Sequence, residues 1–194
     1  WRFELPKAAN AFDYTTLADV LITVEYTALE SNAYRKKVLR KLGPYRETQR
    51  TFSLQDDFPD EWWEVEHWDE LEQIELELSV EETSFVDDMI APTVQEVSLY
   101  VLSEDDEVVE LDDVILKFDD HESVTSASAT DSHWGMINSQ NGVHSEWSVF
   151  AGRSPYGRWM LEIPLSERAL FVEKKINDLL FSLTLRTRRP EYPE

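Results

Sequence analysis

Alternation of hydrophobic and polar positions is the dominant pattern along this chain. From Gln73 to Val80, Ile74, Leu76, Leu78 and Val80 fall on one side, and Glu75 and Glu77, with Glu81 just beyond, fall on the other. That period of two predicts a half-exposed antiparallel strand. Asp19–Thr27 repeats it, with Val20, Ile22, Val24 and Tyr26 opposite Leu21, Thr23, Glu25 and Thr27. Near the other end, Leu179, Phe181, Leu183 and Leu185 share one face of a strand from about Asp178 to Thr187. Val94–Leu102 and Val108–Phe118 read as two more, joined as a hairpin through the acidic "SEDDE". Shorter strands are expected at Arg2–Leu5, Thr51–Leu54, Ser145–Phe150 (after an Asn141-Gly142 turn) and Trp159–Leu165. Ser31–Leu42 carries the helical period instead: Tyr34, Val38 and Leu42 on one face, with Arg35, Lys36, Lys37, Arg40 and Lys41 mostly on the other. Ser31 or Asn32 caps its start and Gly43-Pro44 stops it. Its length favours packing on a sheet.

"DDFPDEWWEVEHWDE", from Asp56, reads as loop with one short helical turn, and the Ser/Thr/Ala-rich stretch His121–Ser132 as a mobile loop. Eight or nine strands and one short amphipathic helix, about residues 31–42, predict a mainly β protein built as an antiparallel β-sandwich. Residues 1–187 form a single domain in this reading, and 188–194 a polar tail. The first and last long strands are expected in the core.

Composition narrows the picture. The 194 residues suffice for one domain that buries roughly 70% of the surface its unfolded chain exposes. With no cysteine, disulfides, thiolate metal sites and a Cys nucleophile are excluded. No apolar run reaches transmembrane length. The chain opens at Trp1 rather than Met, which reads as a piece or processed form of a longer one. The net charge of −22 is unevenly spread: from Asp56 to Glu122 there are 26 acids and one base, Lys117. Such a field repels phosphate backbones and anionic membrane surfaces, which argues against nucleic acid and membrane contact. It keeps the chain soluble and is also suited to steering a basic partner.

Candidate chemistry is sparse. His67, His121, His133 and His144 have no metal-ligand spacing, and "DDHE", Asp119–Glu122, reads as a solvated acidic turn. With 40 acids, pairs of carboxylates carry no information about catalysis. No GxSxG or glycine-rich phosphate loop occurs. The chain is therefore expected to be no enzyme, with no metal and no cofactor. The seven tryptophans stand out. Most fill a core or anchor loops, but Trp62, Trp63 and Trp68, beside Asp60 and Glu61, form a candidate partner-binding group. Exposed Trp next to acids suits a protein hot spot or a sugar platform.

Three stretches carry a family resemblance. "FELP", "FDY" and "LADVLITVEYTA" bring Leu5-Pro6, Phe12-Asp13-Tyr14, Asp19-Val20 and Tyr26-Thr27-Ala28 into an order that resembles the C-terminal region of the A subunit of insecticidal toxin complexes, the Tc toxins. "FSLQDDFPDEWWEV" is similar to a second stretch of that region through Ser53-Leu54, Asp57, Phe58-Pro59-Asp60 and Trp62, and "INDLLFSLTLR", Ile176–Arg186, to its terminal strand. The resemblance implies a non-catalytic, secreted or cell-surface assembly domain of a virulence factor. It implies the TcB-binding platform, which docks a TcB-like component onto a pentameric translocation channel built of copies of the subunit. The basic helix, the acidic middle and the Ser/Thr-rich loop depart from that pattern. The alternative reading is a carbohydrate-binding β-sandwich module, with a glycan in place of the protein partner.

Overall fold

The apolar-sided segment near the C-terminus does form a strand, inside a sheet rather than at its edge. The computed structural model describes residues 23, 27, 31–68, 73–85, 89–103, 108–139 and 146–189, with backbone alone for 130 and 131. The strands expected at 2–5 and 19–27, the latter apart from Thr23 and Thr27, lie outside the described residues, as do the 141–142 turn and the end of the polar tail.

The chain divides into two compact units, Trp1–Lys41 and Leu42–Glu194. The helix α1 (Asn32–Leu42) falls in the first, save its last residue. Ser31 caps it, its Oγ accepting from the Tyr34 N–H at 3.3 Å. Arg40 and Lys41 complement the dipole at its C-terminus, and Gly43 ends it at φ +71. None of its residues is buried.

The second unit is mainly β. Its strands are β1 (Tyr45–Ser53), β2 (Ile74–Val80), β3 (Ile90–Ser103), β4 (Asp112–Asp119), β5 (Val124–Asp131), β6 (Met136–Asn138), β7 (Gly157–Ile163) and β8 (Ile176–Arg188). They make two four-stranded sheets, β1-β8-β3-β6 and β2-β7-β4-β5, whose neighbouring strands are all antiparallel. This is the expected sandwich. Each strand turns its apolar set inward: Leu179, Phe181, Leu183 and Leu185 from β8, and Leu76 and Leu78 from β2. Trp159 of β7 sits among Phe118, Phe150 and Phe181, with ring centroids 4.3, 5.3 and 5.5 Å away, and its indole N–H donates to the Pro155 carbonyl at 2.9 Å.

Five expectations change. β3 and β4 do not form a hairpin: β3 pairs with β8 and β6 in one sheet, β4 with β7 and β5 in the other. Each has one apolar face to bury, and opposite layers satisfy both. His121–Ser132 is chiefly the strand β5, paired with β4 through the short turn at Asp120–Ser123. Its period of two is written in small residues, Ala127 and Ala129 buried, Ser126 and Ser128 exposed. The strand expected at Thr51–Leu54 is the end of β1, and Leu54 opens a helix. The acidic stretch after it is two helices, α2 (Leu54–Asp57) and α3 (Pro59–Glu66), rather than loop. Ser145–Phe150 contains a 3-10 turn, Glu146–Phe150, that buries Trp147 and Phe150. A last helix, α4 (Arg168–Val172), precedes β8.

Candidate interaction surface

Strand register gathers the acidic connections at one end of the sandwich. Ser53 faces Leu180, while Leu102 and Ser103 face Asp178 and Ile176, so β1 and β3 end where β8 begins. In the other sheet Ile74 faces Ile163 and Asp112 faces Asp131, so β2 and β4 begin where β7 and β5 end. α2 and α3 follow β1 at this end, and α4 precedes β8.

Local chemistry fixes the helices. Ser53 accepts from the Asp56 N–H at 3.0 Å, capping α2, and donates to Asp178 at 2.6 Å. The buried Asp178 carboxylate also receives the N–H groups of Gln55 and Leu179, at 3.0 and 2.8 Å. Pro59 opens α3, with Asp60 and Glu61 in its first turn facing the positive end of the helix dipole.

The five candidate residues then separate. Trp62 and Trp68 are 6% and 4% exposed. Their rings lie 6.3 and 5.9 Å from that of Phe171 on α4, and Arg168 donates to the Trp68 carbonyl at 2.9 Å. These two tryptophans are mortar between α3 and α4. The cause is helical spacing: Trp62 and Val65 face inward, while Trp63 and His67, four apart, face out. Trp63 is 59% exposed and stacks on His67 with centroids 4.1 Å apart. Asp60 is exposed and Glu61 half-buried. Beside them lies a groove of about 380 Å³, floored by Trp62, Val65, Phe171 and Ile176 and rimmed by polar side chains, Glu66 and Lys174 among them.

A second exposed tryptophan, Trp134, is at the same end and is 73% exposed. The turn after β5 places it at φ +56 and Gly135 at φ +67. For a bulky residue that left-handed conformation costs about 1–2 kcal/mol. One carboxylate holds the turn: Glu110 accepts from the N–H groups of Trp134 at 3.0 Å and Gly135 at 3.3 Å, and from the Ser132 hydroxyl at 2.6 Å. Burial raises the Glu110 pKa, but the Ser132 hydroxyl, the Gly135 and Trp134 amides and the charge of His133 outweigh it, and the carboxyl stays below its ordinary range. Gly135 lies close on the end of β3. A Cβ there would sit 3.4 Å from the Val109 carbonyl oxygen and 3.5 Å from that of Val101, and Val101 donates to the Gly135 carbonyl at 2.8 Å. Nothing in the sequence ties Trp134 to Glu110, 24 residues earlier.

Electrostatically this end is negative. Glu167 is pushed up by burial and then by Asp112 and Asp113, against the Ser166 hydroxyl. The outer face of the second sheet is internally matched instead. Lys117 lies 2.5 Å from Glu75 and 2.6 Å from Glu162, and Arg158 lies 2.5 Å from Asp119 and 3.7 Å from Glu77. Among the described residues, no group of three or more His, Asp and Glu side chains is placed to hold a metal ion. No helix among them is long and apolar enough to cross a membrane.

No protein-family model and no curated protein matches this chain. Among solved structures it is similar to one titled "Cryo-EM structure of Yersinia pseudotuberculosis TcaA-TcaB", at 16% identity and a TM-score of 0.44. The match covers 75% of this chain and 10% of that one, so the chain spans about a tenth of that protein's length.

Proposed function

We propose that this chain is a non-catalytic protein-binding domain, a β-sandwich that docks a partner protein at its acidic end in the manner of the TcB-binding region of a Tc toxin A subunit. The observation that carries the reading is the exposure of two tryptophans, Trp63 and Trp134, at one acid-rich end of the sandwich. Large aromatics in water are uncommon and mark hot spots when a partner desolvates them. The sequence resemblance supports it from another side. Ser53, Phe58, Pro59 and Trp62 build this end, and Ile176–Arg186 lies in β8. On this reading the partner is a TcB-like component, copies of the chain associate in the whole subunit, and the protein is secreted or at the cell surface.

Titration of the chain with a purified TcB component, followed by biolayer interferometry, tests it. The expected result is binding with an association rate that falls as salt rises, because steering by the acidic end is screened. No binding at tens of micromolar overturns the reading.

The stacked Trp63–His67 pair beside Asp60 and Glu61 favours a second reading, a carbohydrate-binding module, since a flat aromatic flanked by carboxylates fits a sugar face and its hydroxyls. Glycan-array binding lost in Trp63→Ala selects it over the first.

A further inference from the structure

We infer that Trp134 is the anchor of this surface and that it takes a cationic side chain, an arginine for preference, from a basic protein partner. This deepens the docking function proposed above and rests on it for the partner's being a protein.

Three features converge on Trp134. Its indole is largely in water, so the ring contributes little to the fold it sits on. Its backbone is nevertheless constrained: Trp134 and Gly135 are both left-handed, and their two N–H groups and the Ser132 hydroxyl all donate to the Glu110 carboxylate. Strained backbone that the surroundings over-determine, displaying a large side chain to solvent, points to a ligand contact. A backbone held in this way has little freedom left to lose on binding.

Charge decides the occupant. Between Glu96 and Lys117 the chain has no Lys or Arg. Asp112 and Asp113 are exposed on the same segment as Glu110. Leu102 and Val108, flanking the two residues that meet Gly135, are exposed as well and supply apolar area for an aliphatic stem. An exposed indole beside an acid-rich segment attracts a guanidinium or ammonium through the ring quadrupole and the field of that segment together. Arginine does this better than lysine because it also stacks flat. An acidic or purely apolar partner gains neither term.

The test uses the whole chain with a nona-arginine peptide as probe, beside nona-lysine and nona-glutamate. The readouts are affinity and the indole N–H signals in 15N spectra, with the Trp134 signal assigned from Trp134→Phe. Nona-arginine is expected to shift the Trp134 signal most and to bind more tightly than nona-lysine, while nona-glutamate does not bind. Trp134→Ala should weaken nona-arginine about tenfold, and Trp63→Ala should change it less than twofold. Glu110 acts as a positioning residue. Glu110→Ala should weaken binding and speed exchange of the Trp134 and Gly135 amides, and Glu110→Gln, which keeps an acceptor oxygen, should do so less. Equal losses in Trp134→Ala and Trp63→Ala, or an unmoved Trp134 signal, overturn the inference. A TcB component that binds wild type and Trp134→Ala alike overturns it too, while leaving the docking function standing. Failure of wild type to bind TcB, with Trp134-dependent arginine binding intact, does the reverse.

Discussion

Single residues divide here into those that hold the fold and those that face out. Gly157 belongs to the first kind. At φ +147, a Cβ there would lie 2.6 Å from the Asp119 carbonyl oxygen and 2.9 Å from a Phe118 ring carbon. Gly157→Ala is therefore expected to destabilise by about 1–3 kcal/mol, read as a lowered urea midpoint with an unchanged slope. Trp159 is fully buried among three aromatic rings, and Trp159→Ala should remove about 3–5 kcal/mol. Trp63→Ala and Trp134→Ala, by contrast, should leave the midpoint within about 0.5 kcal/mol; a large loss at either would mean that the exposed ring is structural. Glu110 sets a pH limit on its turn. Its folded pKa lies below that of an unfolded carboxyl, so its stabilisation is complete above the unfolded value, about 4.3. It is lost as pH falls through the lower folded value. Exchange at the Trp134 and Gly135 amides, corrected for intrinsic rates, should be constant from neutral pH to about 5 and accelerate below about 4.

At the scale of elements, a strand was legible wherever its two faces differed strongly. β2 alternates Ile and Leu with Glu, and β8 carries four large apolar residues in step, so both were found close to their observed bounds. β5 uses the same period with Ala inside and Ser outside, a contrast too small to distinguish from loop. α3 has two turns and opens on a proline, so its pattern gave little beyond one turn's worth of signal. Pairing was least legible, because an apolar face does not say which layer it joins, and so β3 and β4 read as a hairpin. The same limit hid the surface: adjacent Trp62 and Trp63 have opposite fates, and Glu110 meets Trp134 only through the fold. Register also exposes a conflict that Lys117 resolves. On the outer face Glu75 and Glu162 stand directly opposite, and Lys117 from β4 reaches both, with its pKa raised first by Glu162 and then by Glu75. Lys117→Gln should cost about 1 kcal/mol at low salt, because two like charges are left as a cross-strand pair. Adding Glu75→Gln should recover most of it, and high salt should shrink it. A loss that persists in the double variant would show packing of the lysine stem, rather than charge, at work.

Over the whole molecule the question is which sign electrostatics takes. The ion pairs among described residues lie on exposed or half-exposed side chains, as at Arg50–Asp57, Arg153–Asp120 and Lys175–Glu173. Such exposed pairs contribute little and weaken in salt. Against them stand 26 acids with one base between Asp56 and Glu122. Repulsion within that segment is long-ranged and is relieved by salt. Repulsion should win, so Tm is expected to rise between 20 and 500 mM NaCl, and a cationic ligand should raise it most at the low end of that range. The two effects share a source: the field that loosens the isolated domain is the one that would draw in a basic partner. A Tm that falls with added salt would mean that the acids are already matched within the fold, and an acidic end so matched would have no excess field with which to steer anything.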